Sequence, residues 1–169
     1  MNILLMITCI RKMTEREDND INDLVNHTDI VSTIIEVLRM EQKSEVLFYI
    51  RLEAVWILLN LFFGDKEDVE HILQGGFVIE CIATIIEEQM KGLRNEGACI
   101  FDMRMITHIY FACCNLAETE TQYSSVLLDK TSILDSMIEI ILKFKKVPSD
   151  TARHMAHLTN LMAKSQLNC

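Results

Sequence analysis

The chain has 169 residues, half of them apolar, enough for one domain or one short stack of repeats with a sizeable core. Sixteen basic against 25 acidic residues leave a net charge of −9, so a nucleic-acid backbone is repelled unless the cations gather on one face, and basic partners are favoured. One Pro and five Gly are too few for a β-rich or loop-rich protein, which predicts an all-α fold.

The opening MNILLMITCIRKM lacks a basic leader region and a small-residue cleavage pattern, and its apolar run ends after ten residues. It reads as a helix that packs in the fold. No window holds enough uninterrupted apolar residues to span a bilayer, so a soluble protein without a membrane partner is expected.

From Asp20, DINDLVNHTDIVSTIIEVL aligns without a gap on DVEHILQGGFVIECIATII from Asp68, an offset of 48. Eight apolar positions coincide at helical spacing, among them Leu24 with Ile72, Ile30 with Val78, Ile34 with Ile82 and Leu38 with Ile86. A third copy, YSSVLLDKTSILDSMIEIIL from Tyr123, aligns with one inserted residue. Each copy divides into a short helix, a turn and a longer helix. The turns are Asn26-His27-Thr28, Gly75-Gly76 and Lys130-Thr131-Ser132, where Gly suits a left-handed position after a helix and Thr or Ser offers an oxygen to unpaired backbone N–H groups.

A further long apolar helix follows each copy, over Val46–Phe63, Asp102–Ala117 and Ser149–Lys164. Asn60, Asn115 and Asn160 mark comparable places near the ends of these helices, each followed by Leu. Their spacings of 55 and 45 place an insertion in MKGLRNEGACI, whose Gly92 and Gly97 with a charged middle read as a surface loop. Units of this length with two or three helices are those of armadillo and HEAT repeats, which stack because one unit cannot bury its own apolar face. The expected division is a single domain over 1–169: the last helix of a preceding or capping unit over 1–19, then repeats over 20–64, 65–118 and 119–169.

Constellations for catalysis are poor. His154 and His157 share a helix three residues apart without a third metal ligand, while His27, His71 and His108 stand alone. No Gly-rich phosphate loop, Gly-x-Ser-x-Gly or Cys with a base partner occurs, so no enzyme, metal or cofactor is expected. The six cysteines lack CxxC spacing and read as reduced thiols, and the ten methionines read as gap-fillers between helices.

The stretch EAVWILLNLFFGDKEDVEHILQGGFVIECIATII resembles the armadillo repeats of the importin-α family, whose third helices carry Glu-Ala-x-Trp-x-x-x-Asn followed by a Gly turn and a Gly-Gly junction. Glu53-Ala54, Trp56, Asn60, Gly64 and Gly75-Gly76 carry the match, over about 35 residues. The resemblance implies a right-handed superhelical solenoid of about three repeats. It also implies a concave groove in which Trp56 holds the stem and cation of a peptide Lys or Arg, Asn60 binds its main chain, and acidic groups, here Glu53 or Asp65, pair with its charge. Trp56 and Asn60 lie four apart on one helical face. In the next unit Phe111 stands four before Asn115, and in the last Ala156 stands four before Asn160, so the pair decays along the chain.

The leading expectation is therefore an adaptor for basic, nuclear-localisation-type peptides, in cytoplasm and nucleus, with cargo segments and other transport factors as partners and Trp56, Asn60, Phe111, Asn115 and Asn160 along the groove. The alternative is a scaffold of the same fold without peptide recognition. In plainer structural terms Trp56 is a core aromatic, the asparagines close helix ends against the next turn, and acidic runs such as Asp65 to Glu70 are solvated helix starts.

Overall fold

The computed structural model describes residues 3–15, 21–74, 76–95, 100–144 and 147–167. Among them lie ten helices and no strand, so the fold is all-α. In chain order they are α1 (Ile3–Thr14), α2 (Ile21–His27), α3 (Ile30–Leu38), α4 (Glu45–Leu61), α5 (Lys66–Leu73), α6 (Phe77–Asn95), α7 (Ile100–Thr119), α8 (Thr121–Lys130), α9 (Ile133–Lys143) and α10 (Ser149–Leu167).

The turn chemistry repeats with the sequence. Between α2 and α3, Thr28 Oγ1 donates back to the Leu24 carbonyl and accepts from the Ile30 N–H at 3.2 Å. Between α8 and α9, Thr131 Oγ1 donates to the Leu127 carbonyl at 2.6 Å and accepts from the Ile133 N–H at 3.3 Å. One hydroxyl thus ties a last-turn carbonyl of one helix, which at the second corner also accepts the Thr131 N–H at 3.1 Å, to a first-turn amide of the next. Between α5 and α6 the same corner is turned by Gly76 at φ 74°, a backbone region that side chains disfavour. Gly75 of that expected pair lies outside the described residues. Ser44 and Asp65 start α4 and α5 by accepting from Leu47 N–H and Asp68 N–H.

Packing follows a period of three helices. α1 packs on α4, α4 on α7 and α7 on α10, forming one row; α3 packs on α6 and α6 on α9, forming another; α2 packs on α5. This explains why α4 and α7 carry apolar residues nearly all round: each has a row neighbour on both sides and shorter helices behind. α10, at one end of its row, buries a single stripe of Thr151, His154, Met155, Leu158, Met162 and Ser165. The buried residues of all these layers form one continuous core.

One expected loop is largely helical. Residues 90–95 of MKGLRNEGACI belong to α6, with Met90 and Leu93 buried, while 96–99 lie outside the described residues. Two tertiary anchors override the Gly-containing, charged composition: that apolar pair and a two-pronged ion pair from Arg94 to Glu139 of α9, at 2.9 and 2.6 Å.

Cys9, Cys81, Cys113 and Cys114 are free thiols, the last three buried; Cys99 and Cys169 lie outside the described residues. Burial raises the Cys113 thiol well above its ordinary value and pushes Cys114 up to about 12, so both behave as small apolar groups and not as nucleophiles. No single helix among the described residues is long and apolar enough to cross a membrane.

Candidate peptide-binding face

The asparagines of the α1–α4–α7–α10 row set a common register. Seven residues before each stand Glu53, His108 and Arg153; four before stand Trp56, Phe111 and Ala156. The acidic position of the first unit thus becomes His and then Arg, and the aromatic position shrinks from indole to phenyl to methyl. The residue types at the matching positions thus change from layer to layer, with Glu53 paired to Arg11 and Arg153 to Asp150 at 3.4 Å.

Trp56 is half-buried between two cationic or titratable groups from its row neighbours. The Arg11 guanidinium of α1 lies over the indole, 4.7 Å from the ring centroid, and the His108 ring of α7 lies 4.7 Å away at 47°. Arg11 Nε donates to the Glu53 carboxylate at 2.5 Å, and Arg11 also pairs with Glu15. The indole face and the acid beside it, the two groups that would hold a peptide cation, therefore hold the protein's own Arg11. Phe111 stacks on His154 of α10 at 4.4 Å and 9°, and meets the Phe63 ring edge-on at 6.4 Å.

The three amides have three different fates. Asn60 Nδ2 donates to Thr14 Oγ1 of α1 at 3.0 Å. Asn115 is buried, 4% exposed, and its Nδ2 donates to the Leu59 carbonyl of α4 at 3.1 Å. That carbonyl is in the last turn of α4, where Phe62, Phe63 and Gly64 N–H groups take the Leu58, Asn60 and Leu61 oxygens and leave Leu59 without a backbone donor. Asn160 is exposed. So the recurring Asn–Leu mark is one register with unlike roles, two of them internal bonds from each layer to the one before.

Asp65 stands apart from these residues: its carboxylate accepts from the Asp68 N–H at 3.0 Å as the cap of α5. The structure thus brings Glu53, Trp56 and Asn60 together at the α1–α4 contact, and sets Phe111 and Asn115 one layer on.

Sequence reasoning missed Arg11, His108 and His154. The signal for His108 was its place seven before Asn115, matching Glu53 before Asn60; Arg11 had no such mark. Burial lowers the His108 pKa most, Arg104 and Arg11 lower it further, and the bond to the Arg104 carbonyl and nearby Glu53 oppose them. Burial likewise lowers His154, helped by Arg153, His108 and His157 and opposed by Asp150. Both imidazoles are held toward the neutral form. His157 pairs with Glu118 at 2.7 Å instead of sharing a site with His154, and among the described residues no cluster of three or more His, Cys, Asp or Glu is arranged around a metal position.

No family model matches the sequence, and no curated protein matches it either.

Proposed function

We propose that the chain is an armadillo-type right-handed solenoid of about three repeats, related in pattern to the importin-α family, and that it works as a non-enzymatic protein-interaction scaffold in which basic-peptide recognition has been lost. The continuous row α1–α4–α7–α10 and the three-helix packing period support the solenoid reading. One observation carries the functional reading: Arg11 covers Trp56 at 4.7 Å and binds Glu53 at 2.5 Å, filling the seat a peptide Lys or Arg would need. Further along, the matching position offers no acid: it holds His108, kept toward the neutral form, and then the cation of Arg153.

The adaptor reading stays as the second, favoured by the exposed Asn160 amide and by the net charge of −9. Titrating the protein with a lysine-rich peptide while following the fluorescence of Trp56, its sole indole, separates the two. A flat response at both low and moderate salt, with the helical spectrum intact, is the scaffold outcome. A saturable change that weakens with salt means that a peptide cation displaces Arg11, and the adaptor reading then takes its place.

A further inference from the structure

The seam between the second and third layers differs from the one before it. Between the first and second layers α2 packs on α5, and Val25 of α2 is 2% exposed. In the third layer α8 is the counterpart of α5, yet it packs on α6, α7, α9 and α10 and not substantially on α5. Leu73, which the repeat aligns with Val25, is only half-buried. One end of this seam is pinned, by an ion pair at 2.7 Å from Lys66, the first residue of α5, to Glu120, the cap of α8.

Toward the other end, where α5 and α8 finish, lies a cavity of about 460 Å³. Its walls are Leu73 of α5, Ile79 of α6 and Tyr123 and Val126 of α8, with Gly76 at the corner. Glu80 and Lys130, both exposed, complete the lining, and they are not equivalent. Glu80 faces Arg39 of α3 at 3.9 Å, whereas the Lys130 ammonium has no ion pair or hydrogen bond among the described residues. The volume is that of a small-molecule site, and apolar walls with a free polar group at the edge suit a ligand with an apolar body and one charged end. The cavity lies between two layers of the stack, so neither end of the stack forms any of its wall.

We propose that this cavity binds a small amphipathic carboxylate, its apolar tail along Leu73, Ile79 and Val126 and its anionic head on the Lys130 ammonium. The tail is bounded by the length of α5, whose eight residues span about 12 Å. Charge complementarity selects the head. A monoanion answers the one free cation, a doubly charged head lacks a second, and a cationic head meets Lys130 while Glu80 already faces Arg39. Because the whole chain carries a net charge of −9, a preference for an anionic ligand is a local property of this site. The site belongs to α5, α6 and α8 and not to the Trp56 face, so it stands or falls separately from the peptide-binding question.

Calorimetric titration of the whole chain with decanoate, and with decyltrimethylammonium as an amphiphile of the same tail and opposite charge, tests this below the micellar concentration of either. Saturable binding of decanoate is expected, with the cation binding at least about tenfold more weakly although the net charge of the protein favours it. Lys130→Gln changes an exposed side chain and should weaken decanoate by about tenfold, while Lys91→Gln, at an exposed site near the far end of α6, leaves it unchanged. Val126→Phe, with its helical spectrum checked, fills the cavity and should abolish binding. No saturable binding of decanoate, equal binding of the two amphiphiles, or an affinity unaltered in Lys130→Gln overturns the proposal.

Discussion

Single residues in this chain carry two messages that sequence alone merges. The Asn–Leu mark is legible as a register because it recurs, yet the partner of each amide depends on the neighbouring layer. For Asn115 the partner is the one α4 carbonyl that its helix end leaves without a backbone donor, a fact fixed by how Phe62, Phe63 and Gly64 close that end. Replacing it removes a buried bond and strands the Leu59 oxygen away from water, whereas Asn160 is exposed. Asn115→Ala is therefore expected to cost about 1–3 kcal/mol in urea unfolding, and Asn160→Ala less than about 0.5 kcal/mol. Equal effects would mean that the amides are equivalent after all. Arg11 shows the opposite limit: nothing in its local sequence announces that it will lie over an indole 45 positions on, because that contact exists only once α1 docks on α4.

At the level of helices and turns, the alternation of short helix, corner and longer helix was readable wherever local chemistry decides it. Thr28 and Thr131 do at two corners what Gly76 does at the third, and the difference is testable. Gly76 has open space around a would-be Cβ, so Gly76→Ala meets no clash and only the positive φ penalises it, by about 1–2 kcal/mol. Asp65→Ala loses the cap of α5 at a cost of about 1 kcal/mol. Thermal or chemical denaturation should find both changes destabilising, and a neutral Gly76→Ala would show that the corner relaxes to another conformation. The end of α6 was not readable from composition, since glycine and charge suggest a loop while Leu93 and the Arg94–Glu139 bridge hold it as helix. Glu139, held down to about 2 chiefly by Arg94 and then Lys143, remains an anion for that bridge across the ordinary pH range.

Over the whole molecule, the 48-residue offset anticipated a packing period of three helices, because apolar stripes that repeat in sequence must find equivalent neighbours in space. The chemistry between members of the long row was not anticipated, and it predicts a stack that loses stability in acid. His108 lies between α4 and α7, against Trp56 and close to Arg104, Arg11 and Glu53. His154 lies between α7 and α10, on Phe111, with Arg153, Asp150, His108 and His157 nearby. Both have folded pKa values below the ordinary 6.5. Well above pH 6.5 the imidazoles are neutral in folded and unfolded chains alike, and their contribution is complete. As pH falls through that value the unfolded chain takes up protons that the folded chain resists, so stability declines until the lowered folded values are reached. The melting temperature should accordingly fall between pH 7.5 and pH 5.5, by on the order of 2–4 °C. His108→Gln combined with His154→Gln should flatten that slope even if the variant melts lower throughout. A wild-type melting temperature that holds constant over this range, or a slope unchanged in the double variant, would place the acid-sensitive groups elsewhere than in the α4–α7–α10 row.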